Sequence, residues 1–160
     1  MLPLLFFVTA SAVVPSATVP PGEQPVDPYT QSDANAGATA FSGQGMWHSF
    51  HEQAGVDRIV DGFVDRNVAD PLISDIFKGQ DLVRLRRTLK EQFCYILGGG
   101  CAYSGRDMKE SHKNLGVQAK DMNALVVNLQ KAMSAEKVPF AAQMRFLSKL
   151  APMKRDVVTR

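Results

Sequence analysis

The clearest chemistry in this chain sits at His112. The residue lies in the run Gly98–Val117, which leaves three consecutive glycines, enters a short amphipathic stretch and sets one imidazole among Met108, Leu115 and Val117. A neutral imidazole backed by apolar side chains is what a transition metal or a haem iron takes from a protein. An ordinary buried histidine has the same surroundings, so the rest of the chain must discriminate.

Other reactive constellations are missing. The sequence has no phosphate-binding glycine loop followed by Lys-Ser/Thr, no His-Glu-x-x-His and no Gly-x-Ser-x-Gly. Gly98–Gly100 follow a helical pattern and read as its stop rather than as a phosphate cradle. Cys94 and Cys101 have no further thiolate or histidine at zinc-finger spacing. In an oxidising compartment they suit a disulfide; elsewhere they suit two small buried hydrophobes. A lone imidazole falls short of a non-haem iron site, which needs more ligands than this chain clusters. Haem needs only one axial imidazole and an apolar pocket, with basic or hydroxyl groups at the rim for the propionates.

The elements that would position His112 are helical. Phe50 and Ala54, then Ile59, Phe63, Val64 and Val68, recur at helical spacing, with a break expected at Gly55 and a stop at Pro71. A longer helix follows, with Leu82, Leu85, Leu89, Phe93 and Ile96 on one stripe and Arg84, Arg87, Lys90 and Glu91 mostly off it. Beyond His112, Leu125, Val126, Leu129 and Met133 mark another helix. Pro139 suits the start of a last one carrying Ala142, Phe146, Leu147, Leu150 and Met153. No segment alternates like a strand, so the domain reads as all-α.

Length and charge fit this picture. At 160 residues and 45% apolar, the chain suits one compact domain. Residues 1–45 hold no Lys or Arg, so all 18 basic and 13 of the 16 acidic residues lie beyond, an excess of five positive charges. That excess is too small to argue for nucleic acid, and no aromatic residues interleave with the Arg84, Arg86, Arg87, Lys90 cluster. Residues 1–17 read as a signal peptide: Leu2–Val14 is uncharged and too short to span a bilayer, and Ala10-Ser11-Ala12 offers a cleavage pattern, although no basic residue precedes it. The expectation is export, to the periplasm, against a cytoplasmic alternative. Residues 18–45, rich in Pro, Ser, Ala and Gly, are expected to form a disordered linker ahead of a domain at 46–160.

The domain resembles the group I truncated haemoglobins, the shortened globins with a two-over-two helical sandwich. The resemblance rests on Phe-His-Glu-Gln-Ala-Gly (50–55), Val-Ala-Asp-Pro-Leu-Ile (68–73), Asp-Ile-Phe-Lys-Gly (75–79), the run 97–117 with its Tyr-x-Gly-x-x-Met-x-x-x-His spacing, and Leu-Ala-Pro-Met-Lys (150–154). It implies one haem b per chain, with His112 as the iron's proximal ligand and Phe77 against the porphyrin. Met108, Leu115, Val117 and Met122 would then lie on the proximal side, Arg84 and Thr88 near the propionates, and Phe93 and Tyr103 in the haem surroundings. Diatomic gases are the implied ligands: dioxygen, carbon monoxide and nitric oxide.

The departures from the family carry as much information. Where members usually carry a tyrosine aimed at the sixth coordination site, this chain has Val64, and Leu85 and Leu89 replace polar distal partners. A charge-assisted hydrogen bond to bound dioxygen is worth about 1.5–3 kcal/mol. Its loss speeds dissociation roughly ten- to a hundredfold. Thr88 and Gln92 are the remaining polar candidates on the long helix. His48 and His51 fall near the first helix, which the family packs away from the sixth site, so a five-coordinate ferrous iron is expected. No residue suits a distal acid–base role. Nitric oxide dioxygenase or peroxidase-like activity would need an external reductase, since the chain has no flavin or nicotinamide module. The competing function is a globin-fold interaction module without haem.

Overall fold

The structure, a computed structural model, describes residues 18–158. The expected signal peptide, residues 1–17, lies outside the described residues. Among those described, every regular element is a helix and no helix is long and apolar enough to cross a membrane. In order these are α1 (Gly45–Ser49), α2 (Glu52–Ala69), α3 (Ser74–Phe77), α4 (Leu82–Leu97), α5 (Met108–Ser111), α6 (Ala119–Ala135), α7 (Phe140–Leu150) and α8 (Lys154–Val157), with 3₁₀ turns at Asp33–Ala36 and Ala151–Met153.

Helix α2 is the centre of the packing, against α4 on one side and α6 on the other. Val56, Ile59, Val60 and Val64 follow helical spacing and are fully buried. Burying a side chain of this size contributes about 1.5–3 kcal/mol. The stripe ends there, because Val68 faces solvent. The break between the first two helices falls at Phe50–His51, not at Gly55. His51 and Glu52 adopt positive φ, and Gly55 sits inside α2 as a helical residue. A Cβ at Gly55 would overlap the carbonyl oxygen of Phe50, so its glycine serves close approach rather than termination.

Local chemistry sets the ends of α4. The Asp81 carboxylate accepts from Arg84 N at 2.9 Å, an N-cap, and Gly98 closes the helix in the left-handed region at φ 86°. Phe93 of α4 and Phe50 both meet Phe146 of α7 edge-on, with ring centroids 4.9 and 5.1 Å apart. This aromatic group joins α4 and α7.

Residues 18–45 are not the disordered linker that their composition suggests. They form a strap along α4. Glu23 pairs with Arg84 and Arg87, and Tyr29 packs against the guanidinium groups of Arg84 and Arg106. Further along, the Asp33 carboxylate accepts from Tyr103 N at 2.8 Å, Phe41 N donates to the Ile96 carbonyl at 2.8 Å, and Gln44 Nε2 donates to the Gly98 carbonyl at 3.1 Å. Average composition missed this because a few anchors do the holding, while the prolines reduce the chain entropy lost on docking.

Candidate functional site

Helix α5 is a single turn. Asp107 caps it, its carboxylate accepting from Glu110 N at 2.8 Å, and His112 stands at its C-terminal end. His112 Nδ1 lies 2.7 Å from the Met108 carbonyl oxygen. A carbonyl can only accept, so Nδ1 carries the proton and Nε2 keeps its lone pair. No other hydrogen bond to this ring is found among the described residues. Burial pushes the imidazole pKa down, against a smaller opposing effect of the Met108 bond. The ring is therefore a neutral, oriented donor with Nε2 free.

Met108 and Val117 are buried, and Leu115 and Met122 are partly buried against the core. On α4 the apolar stripe divides in two. Phe93, Ile96 and Leu97 are sealed in the core, whereas Leu82, Leu85 and Leu89 remain partly accessible. Phe63, Ile76 and Phe77 are likewise half-exposed. Val64 is fully enclosed.

Several residues expected near a cofactor have their side chains committed elsewhere. Arg84 Nη2 donates to Tyr29 Oη at 2.8 Å and Nη1 lies 3.4 Å from Glu23 Oε2. The Thr88 hydroxyl turns back on its own helix, 2.9 Å from the Arg84 carbonyl and 3.3 Å from that of Leu85. Gln92 is buried and donates to the Ala36 carbonyl at 2.8 Å. Phe93 belongs to the aromatic core with Phe146. Tyr103 braces the loop before α5: its hydroxyl donates to the Arg106 carbonyl at 3.0 Å, and burial pushes its pKa up to about 12. The strap residues Glu23, Tyr29 and Ala36 were not expected near this region at all. Their only signal in the sequence is a carboxylate and a tyrosine in a stretch without bases.

The basic cluster on α4 is neutralised within the molecule. Arg86 pairs with Asp61 and Asp65, Lys90 with Asp61, and Arg87 with Glu23 and Glu91. His48 and His51 are exposed and face Glu52 and Glu136 at 2.9 and 3.1 Å. Cys94 and Cys101 form a disulfide with Cα atoms 5.7 Å apart, which resolves the two readings of these cysteines. A groove of about 700 Å³ between the ends of α2 and α6 is lined by Arg66, Pro71, Leu72, Lys120 and Val127 among others; it does not reach His112.

Among the described residues no three His, Cys, Asp or Glu side chains gather to hold a metal ion. A single oriented imidazole with partly accessible apolar side chains on α3 and α4 fits an iron whose other ligands come from a macrocycle. The donor set suits haem.

The family model for bacterial-like globins matches residues 47–159. The group 1 truncated hemoglobin GlbN of Mycolicibacterium paratuberculosis is 30% identical over 101 residues, covering 63% of this chain and 74% of that protein. GlbN of Nostoc commune is 26% identical over 115 residues, 72% of this chain and 98% of that one. Among solved structures, a truncated hemoglobin from Tetrahymena pyriformis superposes with a TM-score of 0.68 at 20% identity, over 72% of this chain and 98% of that one. The 2/2 hemoglobin from Synechococcus, solved with covalently attached heme, gives 0.66 at 21% over the same shares. The arrangement of α2, α4, α6 and α7 is thus the two-over-two sandwich. The strap lies outside the matched region.

Proposed function

This chain belongs to the bacterial-like globin family, whose members bind haem and gas, and from that premise we propose a haem b globin that holds diatomic ligands weakly. Haem, when bound, supplies the gas-binding iron. His112 would hold it through Nε2, with the Met108 carbonyl fixing the ring from Nδ1. Val64, Leu85 and Leu89 would form the distal wall, an apolar lining that offers no hydrogen bond to a bound ligand.

The observation that carries this reading is the commitment of the polar side chains of α4. Gln92 is bonded to the strap and Thr88 to its own helix, so neither replaces the hydroxyl missing at Val64. Dioxygen then leaves roughly ten- to a hundredfold faster than from a tyrosine-bearing relative. Carbon monoxide, being less polar, is affected less. His48 and His51 are engaged with carboxylates at the surface, so neither would supply a second protein ligand and a ferrous iron would be five-coordinate without added ligand.

The test is spectroscopic. Purified protein shows a Soret band that His112→Ala loses, and stopped-flow mixing gives a fast dioxygen off-rate. A folded wild type without a Soret band, or an off-rate as slow as that of a tyrosine-bearing globin, overturns the reading. The Cys94–Cys101 disulfide supports an exported, periplasmic protein, because such bonds persist in oxidising compartments. Fractionation of cells with a compartment marker tests that part.

A further inference from the structure

The strap reaches the proximal histidine through one buried junction. Gln92 Nε2 donates to the Ala36 carbonyl at 2.8 Å and lies 3.4 Å from Met108 Sδ and 3.8 Å from Met153 Sδ. Gly37 closes the junction from the strap side at φ +82°, where a Cβ would come within 3.0 Å of both Met108 Cγ and Met153 Sδ. Ala36 is fully buried and Gln92 is 5% exposed. Met108 in turn offers its carbonyl to His112 Nδ1 at 2.7 Å. A buried amide among thioethers is costly unless bonded, and the Ala36 carbonyl bonds it. An apolar side chain at position 92 would fill the space without holding the strap.

We propose that Gln92 and the strap residues Ala36 and Gly37 are positioning residues for His112: the strap, acting through Met108, sets the placement of the proximal imidazole. This rests on the haem reading above. Outer partners of a metal-ligating histidine typically change metal affinity by about ten- to a hundredfold when altered. Interior packing passes a displacement at Met108 on to the imidazole, because close-packed side chains leave little slack.

The experiment uses the full chain as wild type, Gln92→Leu, Gly37→Ala and, as a control at the far end of the strap, Gln44→Ala. Three readouts are compared: amide hydrogen exchange over residues 105–116 in the haem-free protein, the iron–histidine stretching band of the ferrous haem protein, and haem loss to an excess of apo-globin. Gln92→Leu and Gly37→Ala speed exchange at Met108–His112, shift the iron–histidine band and accelerate haem loss about ten- to a hundredfold. Gln44→Ala does none of these. If Gly37→Ala does not fold, Gln92→Leu carries the same test. Faster exchange with an unmoved band and unchanged haem loss makes the strap a passive cover and overturns the proposal, as does unchanged exchange. A wild type that takes up no haem overturns the haem reading as well, so the two failures are distinguishable.

Discussion

Glu23 and Arg87 lie 64 positions apart and meet in a partly buried ion pair, with Arg87 Nη2 donating to Glu23 Oε2 at 2.9 Å and the Glu23 side chain only 1% exposed. Arg84 shares the carboxylate, and Arg87 also reaches Glu91 and Ser104 Oγ at 2.7 and 2.6 Å. One acidic residue of the strap thus fastens it to α4 and, through Ser104, to the loop that leads to His112.

Replacing Glu23 with glutamine removes the charge but keeps one hydrogen-bonding group. The expected loss is about 1.5–3 kcal/mol of unfolding free energy, read from urea denaturation. The Arg87 guanidinium holds the Glu23 carboxyl below the usual glutamate range, against an opposing effect of burial. The unfolded chain therefore binds this proton more readily. The stabilisation is fully present above the ordinary glutamate pKa and is lost as pH falls through the lowered one. Wild type and Glu23→Gln converge in stability over that acid window; a constant gap across it contradicts the assignment.

Val64→Tyr supplies the distal hydroxyl that the proposed pocket lacks. Stopped-flow measurement should show dioxygen leaving about ten- to a hundredfold more slowly, with a much smaller change for carbon monoxide. Val64 is fully buried, so the larger ring also costs about 1–3 kcal/mol through overpacking, visible as a lower Tm. An unchanged off-rate would place position 64 away from the ligand.

The Cys94–Cys101 bridge closes a short loop at the end of α4. Reductant should lower stability by about 2–3 kcal/mol in denaturant titrations. The Cys94→Ala/Cys101→Ala variant should match the reduced protein and show no further response to reductant.

Asn128 of α6 makes two hydrogen bonds at the end of α2, donating to Asn67 Oδ1 at 2.9 Å and to Oδ2 of the C-cap Asp70 at 3.0 Å. Asn67 is 1% exposed, and its own Nδ2 has no partner. Asn128→Leu should cost about 1–3 kcal/mol, because it strands the Asn67 carbonyl in the interior. The double variant Asn67→Leu/Asn128→Leu removes both polar groups and should recover part of that loss; urea midpoints of the two variants decide it.

Much of the scaffold was legible from neighbouring residues alone. Gly98 ends α4 because a left-handed φ suits glycine, and α2 stops at Ala69, just before Asp70-Pro71. The leucine stripe on α4 and the all-helical class follow from spacing within a few turns. The run around Tyr103, Met108 and His112 was legible for the same reason, since a glycine stop and an imidazole four residues after Met108 are local facts; the proximal-ligand role is what the family resemblance implies for that imidazole.

What the chain alone determined, then, was which segments are helices, which faces are apolar and which histidine could hold iron. Only the tertiary structure decided the partners of Glu23, Gln92 and Phe93. Gln92 looked free to reach a ligand until Ala36, 56 positions away, supplied its acceptor. Residues 18–45 looked disordered until Arg84 and Arg87 gave the buried Glu23 carboxylate its partners. Helix periods and caps act over three or four residues and so leave a mark in the sequence. A hydrogen bond across tens of residues depends on which packed surfaces meet, and no local pattern records that meeting.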